Sequence, residues 1–141
     1  MNKSVISRAH RTLKHLTQYK SLVGETLYDL PEDLRSVPLV DQDNEHLIGL
    51  YENYPGHPDD NIVITNLGLY LYHNNSWTIT RYSDIVRISP PEDKQSKTML
   101  IYTGEGVQKL YVRGGSGKFS DVFEFMHFLQ RVTDAVVEEK E

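Results

Sequence analysis

The chain has 141 residues, 38% of them hydrophobic and 25% charged, with six histidines and no cysteine. That length suits one domain with its own core, and the missing cysteine excludes disulfides, thiolate nucleophiles and cysteine-based zinc sites. The formal charge of −5 is uneven: residues 1–20 carry Lys3, Arg8, Arg11, Lys14 and Lys20 and no acid, so the remainder holds all 20 acids. Such an acidic body repels polyanions, which argues against nucleic acid as a partner. No apolar run reaches the ~18 residues of a membrane span. The basic start lacks the apolar stretch of a secretory leader, so a cytoplasmic protein is expected.

Residues 4–23 read as an amphipathic helix. Ser4 would cap it, Val5, Ala9, Leu13, Leu16 and Val23 would share one side, and Gly24 would end it. Arg8, Arg11 and Lys14 fall on the opposite side, where they could meet a partner or an anionic membrane surface. Pro31 followed by Glu32, Asp33 and Leu34 suggests a short helical turn. Pro38 and the polar run Asp41–Glu45 close an N-terminal helical extension, residues 1–45.

Strand signals then follow almost without a break. They cover 46–54, 61–65, 69–73, 76–82, 84–89, 98–103 and 107–113, about seven strands with connections too short for parallel crossovers. Asn74-Asn75 tolerates positive φ and suits a hairpin turn. In the strand after it, Trp77, Ile79 and Arg81 share one face and Thr78, Thr80 and Tyr82 the other. Tyr70 and Tyr72 also share a face; if Leu69 and Leu71 point inward, these tyrosines form an exposed recognition patch, and otherwise they pack beneath the N-terminal helix. Residues 119–137 read as a helix whose stripe is Phe119, Val122, Phe123, Met126, Leu129, Val132 and Val136, widened by Phe125. Residues 138–141 are a charged tail. The fold class is therefore mainly β with α (α+β): a seven-stranded antiparallel barrel or sandwich, capped by a C-terminal helix.

Two segments carry this pattern further. Ile62-Val63-Ile64-Thr65-Asn66-Leu67-Gly68-Leu69-Tyr70-Leu71 and Tyr82-Ser83-Asp84-Ile85-Val86-Arg87-Ile88 resemble the hairpin and the following step of bacterial PH-like and GRAM-like domains. The resemblance covers residues 46–137 and implies a pleckstrin-homology-like domain. Phosphoinositide-binding members of that superfold carry lysines and arginines around the first hairpin loop. Here the loop is Glu52-Asn53-Tyr54-Pro55-Gly56-His57-Pro58-Asp59-Asp60, whose acids argue against phosphoinositide binding.

Catalytic signals are absent from the sequence. Arg113-Gly114-Gly115-Ser116-Gly117-Lys118-Phe119 imitates a phosphate loop, but Val112 and Phe119 stand where its glycine and hydroxyl anchors belong. A pliable strand-to-helix connection is the better reading, and a weaker anion contact from Arg113 and Lys118 stays open. The histidines show no metal-binding spacing, and no nucleophile elbow occurs, so no metal, cofactor or reaction is expected. The expectation is a non-catalytic adaptor that binds a protein partner, through a sheet edge or the tyrosines. A peripheral membrane adaptor, a small-ligand-binding or enzymatic domain, and a homo-oligomer stay open.

Overall fold

The computed structural model describes residues 5–114 and 120–138. Among the described residues the chain is mainly β with two α-helices, and its strands form two separately hydrogen-bonded sheets that close no barrel. All seven expected strands are present, and two short ones join them. The chain divides into two compact units, Gln18–Arg81 and Met1–Thr17 with Tyr82–Glu141.

The unit Gln18–Arg81 is built on a five-stranded sheet: β1 (Tyr19–Ser21), β2 (Leu47–Tyr51), β3 (Asn61–Thr65), β4 (Gly68–His73) and β5 (Ser76–Arg81), paired in chain order and antiparallel. β3 lies at the centre and is buried on both faces, which explains its almost continuous apolar reading. Leu50, Val63, Tyr70 and Tyr72 line one face of the sheet and pack with Leu22, Leu30, Leu34, Val37 and Leu47. The turn expected after Pro31 is a 3₁₀ turn, Glu32–Leu34, which seats Leu34 in this core.

The other unit carries α1 (Val5–Thr12), α2 (Asp121–Val132) and a four-stranded sheet. Its strands are β6 (Ile85–Ser89), β7 (Thr98–Thr103), β8 (Gly106–Tyr111) and β9 (Val136–Val137), in the order β8-β7-β6-β9. β9 pairs with β6 in parallel, and the other pairs are antiparallel. α1 packs on α2. Tyr82 meets Phe128 edge-on, with ring centroids 5.9 Å apart.

Both helices are shorter than the periodicity predicts. The N-terminal pattern holds only to Thr12, whose hydroxyl donates back to the Arg8 carbonyl. Beyond it, Gln18 is drawn to the sheet instead. Its amide nitrogen donates to the carbonyls of Glu52 (2.6 Å) and Asn53 (3.2 Å), and its carbonyl accepts from Glu52 N. Long-range pairing thus makes residues 19–21 a strand despite a helical apolar spacing. Gly24 does adopt a positive φ of 82°, but in a turn rather than at a helix end. At the C-terminus, α2 buries Val122, Phe125, Phe128 and Leu129, a stripe rotated from the predicted one. Val136 lies in β9 and is exposed. Ser4, Phe119 and the residues after Glu138 lie outside the described residues.

Candidate functional site

Residues 68–81 form a hairpin closed by the two-residue turn Asn74-Asn75. Both turn residues have positive φ (50° and 61°), the pattern that matches the right-handed twist of paired strands. In such a hairpin the residues flanking the turn, His73 and Ser76, form a hydrogen-bonded pair, and pairing then alternates. Thr78 and Thr80 therefore bond to Leu71 and Leu69, their partners in register. Trp77, Ile79 and Arg81 sit opposite Tyr72, Tyr70 and Gly68 without main-chain bonds to them. The Tyr72 carbonyl agrees with this alternation, because it accepts from Asp60 N at 2.6 Å on the far side of β4.

β5 is the last strand of its sheet, so the N–H and C=O groups of Trp77, Ile79 and Arg81 point outward from the edge. Ser76, Thr78, Ile79 and Arg81 are exposed, and Ile79 retains 39% of its surface. Trp77 is half-buried: one side of its ring tilts against Tyr72, with centroids 5.0 Å apart. The strand has six residues, no proline, no bulge and one charge. Protein edges are usually blunted by such devices, and a regular edge with a single terminal charge is a template for a further strand.

Behind the edge, a buried polar cluster sets the β3–β4 turn. Glu45, 5% exposed, accepts through Oε2 from Thr65 Oγ1 (2.5 Å) and Tyr70 Oη (2.7 Å), and through Oε1 from Asp41 N (3.2 Å). Thr65 Oγ1 in turn accepts from Leu67 N and Gly68 N, and Tyr70 Oη accepts from Val40 N. Asn66 completes the clamp: its Oδ1 accepts from His46 N (2.6 Å) and its Nδ2 donates to the Asn44 carbonyl (3.1 Å). Burial, and then the bond to Glu45, push the Tyr70 hydroxyl pKa well above its ordinary value. The Thr65-Asn66…Tyr70 motif is thus a loop anchor that ties residues 40–46 to the hairpin.

This geometry corrects one expectation. Tyr70 is 0% exposed and Tyr72 8%, so the exposed tyrosine patch does not exist. Their hydroxyls are used internally, that of Tyr72 donating to Asn75 Oδ1 at 2.9 Å. Arg11 and Lys14 are exposed, with Lys14 Nζ 3.4 Å from His10 Nε2, whereas Arg8 is half-buried. Only Arg11 and Arg8 lie on α1, since Lys14 follows its end. Arg113 is exposed after β8, and Lys118 lies outside the described residues. Among the described residues, no three or more histidine, aspartate or glutamate side chains converge as a metal site would require, and no helix is long and apolar enough to cross a membrane.

Comparison of the chain with models of known families, with curated proteins and with solved structures returns no match. The functional reading therefore rests on the site itself.

Two features escaped sequence reasoning. Glu45 closes a polar run, Asp41–Glu45, and looks solvated; its only signal is the pair of hydroxyls, Thr65 and Tyr70, that need an acceptor. The edge position of β5 follows from strand order, which periodicity does not encode. The polar series Ser76, Thr78 and Thr80 was the available hint.

Proposed function

We propose that this chain is a non-catalytic protein-interaction module that docks an extended partner segment along β5. The observation that carries this reading is the six-residue open edge with outward main-chain groups at Trp77, Ile79 and Arg81. A partner strand gains main-chain hydrogen bonds there, and Trp77 and Ile79 supply apolar contact on one face. The seven expected strands divide into β2–β5 and β6–β8 before α2, an order that supports a PH-like reading of residues 46–137. The acids of the 52–60 loop argue against phosphoinositides as its ligand. Membrane adsorption through the N-terminal segment has weaker support, because Ala9 on α1 and Leu13 and Leu16 just after it are buried.

The test is Ile79→Pro. Proline removes the outward N–H of residue 79 and leaves the ladder to β4 intact, since Ile79 and Tyr70 share no main-chain bond. A photo-crosslinker at Thr78, in the native host, should trap a protein partner in the wild-type background and lose it in Ile79→Pro. Partners retained unchanged by a folded Ile79→Pro chain would refute docking at β5.

A further inference from the structure

We infer that the strand docked on β5 is β5 of a second copy, paired antiparallel about a two-fold axis through Ile79. This inference rests on the reading of β5 as the docking edge and names its occupant. The argument is self-complementarity. Only outward-facing residues can form hydrogen-bonded pairs across a new edge, so Trp77, Ile79 and Arg81 must pair among themselves. The register that uses all three places Ile79 opposite Ile79 of the second copy and Trp77 opposite Arg81.

The side chains of Trp77, Ile79 and Arg81, each at least partly exposed, pair favourably in that register. Trp77 and Arg81 lie on the same face of β5, so each Trp77 ring receives an arginine from across the axis, a cation–π arrangement. The two Ile79 side chains, each 39% exposed in one copy, cover one another at the centre. On the other face Thr78 is exposed and Thr80 is buried within its own chain, so that pair sets no like charges against each other. The only charge on the strand, Arg81, faces an aromatic rather than its own copy.

The other long edge behaves in the opposite way. β8 is the last strand of the four-stranded sheet, and its hairpin geometry turns Val107, Lys109 and Tyr111 outward. Full overlap of two β8 strands would set Lys109 directly against Lys109, a like-charge pair that disfavours association. β1 and β9 have three and two residues, too short to support a ladder. Self-pairing is therefore specific to β5.

Sedimentation velocity of the full chain, run over a wide concentration range, tests the inference. The wild type should shift from monomer to dimer as concentration rises. Ile79→Pro deletes both bonds of the central pair, each worth about a factor of ten, so the dissociation constant should rise about a hundredfold. Ile79→Lys and Ile79→Glu place like charges on the axis; each should stay monomeric alone, while an equal mixture of the two should dimerise. A wild type that is monomeric throughout, or a dimer that Ile79→Pro does not weaken, would overturn the self-pairing. A monomeric wild type whose Thr78 crosslink to another protein is still lost in Ile79→Pro would overturn only the choice of partner. A dimer and a crosslink that both ignore Ile79→Pro would remove β5 from the function altogether.

Discussion

Glutamine at position 45 is a stringent perturbation because it keeps the shape of Glu45 and changes one acceptor into a donor. The carboxylate receives three bonds, two at Oε2 from Thr65 and Tyr70 and one at Oε1 from Asp41 N. A glutamine amide offers one oxygen and one NH₂ group. If the oxygen takes the two hydroxyls, the NH₂ faces the Asp41 N–H, donor against donor. If it turns round, the NH₂ faces two hydroxyl oxygens already occupied by Leu67 N, Gly68 N and Val40 N. Either way a buried donor is orphaned and a charge-assisted bond is lost, which costs about 2 kcal/mol. For a chain of this size that corresponds to a fall of roughly 6 °C in Tm. Urea and thermal unfolding followed by circular dichroism read the change directly. Asp43→Asn, exposed in the same turn, is the control and should stay within about 0.5 kcal/mol of wild type. A Glu45→Gln chain as stable as that control would show that the cluster does not hold residues 40–46 to the hairpin.

Three further outcomes follow from the same structure. Tyr70→Phe removes a donor to Glu45 and the acceptor of Val40 N, so urea unfolding should show a loss of about 1.5–3 kcal/mol with an unchanged m-value. Gly68→Ala would set a Cβ 2.5 Å from the backbone oxygen of Thr80, which cannot swing aside, whereas a Cβ at Gly104 meets nothing; thermal melts should show about 1–3 kcal/mol lost in the first and little in the second. Burial pushes the Tyr19 hydroxyl up to about 12 from its ordinary 10. The unfolded chain loses that proton first, so the folded state holds more protons over this interval. The Tyr19 contribution is complete below pH 10 and declines between about 10 and 12. Tyr19→Phe should flatten that decline in urea midpoints measured against pH, and an unaltered slope would contradict it.

Much of the β-structure was legible because its signals are local. β3 reads as an almost continuous apolar run since both of its faces are buried, and Asn74-Asn75 announces the hairpin through its tolerance of positive φ. What local pattern could not supply was orientation. Alternation correctly places Tyr70 and Tyr72 on one face, but their inward direction depends on Glu45 and Asn75 accepting their hydroxyls. The stripe Leu13–Leu16–Val23 suits a helix, yet Tyr19–Ser21 gains more by pairing with Gly49–Tyr51. In α2, Phe123 and Phe125 compete for the buried face, and packing chose Phe125 with Phe128. The open edge at β5 is likewise a property of sheet order.

Residue-resolved amide hydrogen exchange along β5 tests the docking claim most directly. In the dilute free chain, the amides of Thr78 and Thr80 should exchange slowly and those of Trp77, Ile79 and Arg81 quickly, because only the first pair is bonded to β4. On raising the concentration, or on adding a captured partner, protection should appear at Trp77, Ile79 and Arg81. Outward amides that remain unprotected in the associated state would contradict β5 as the docking strand.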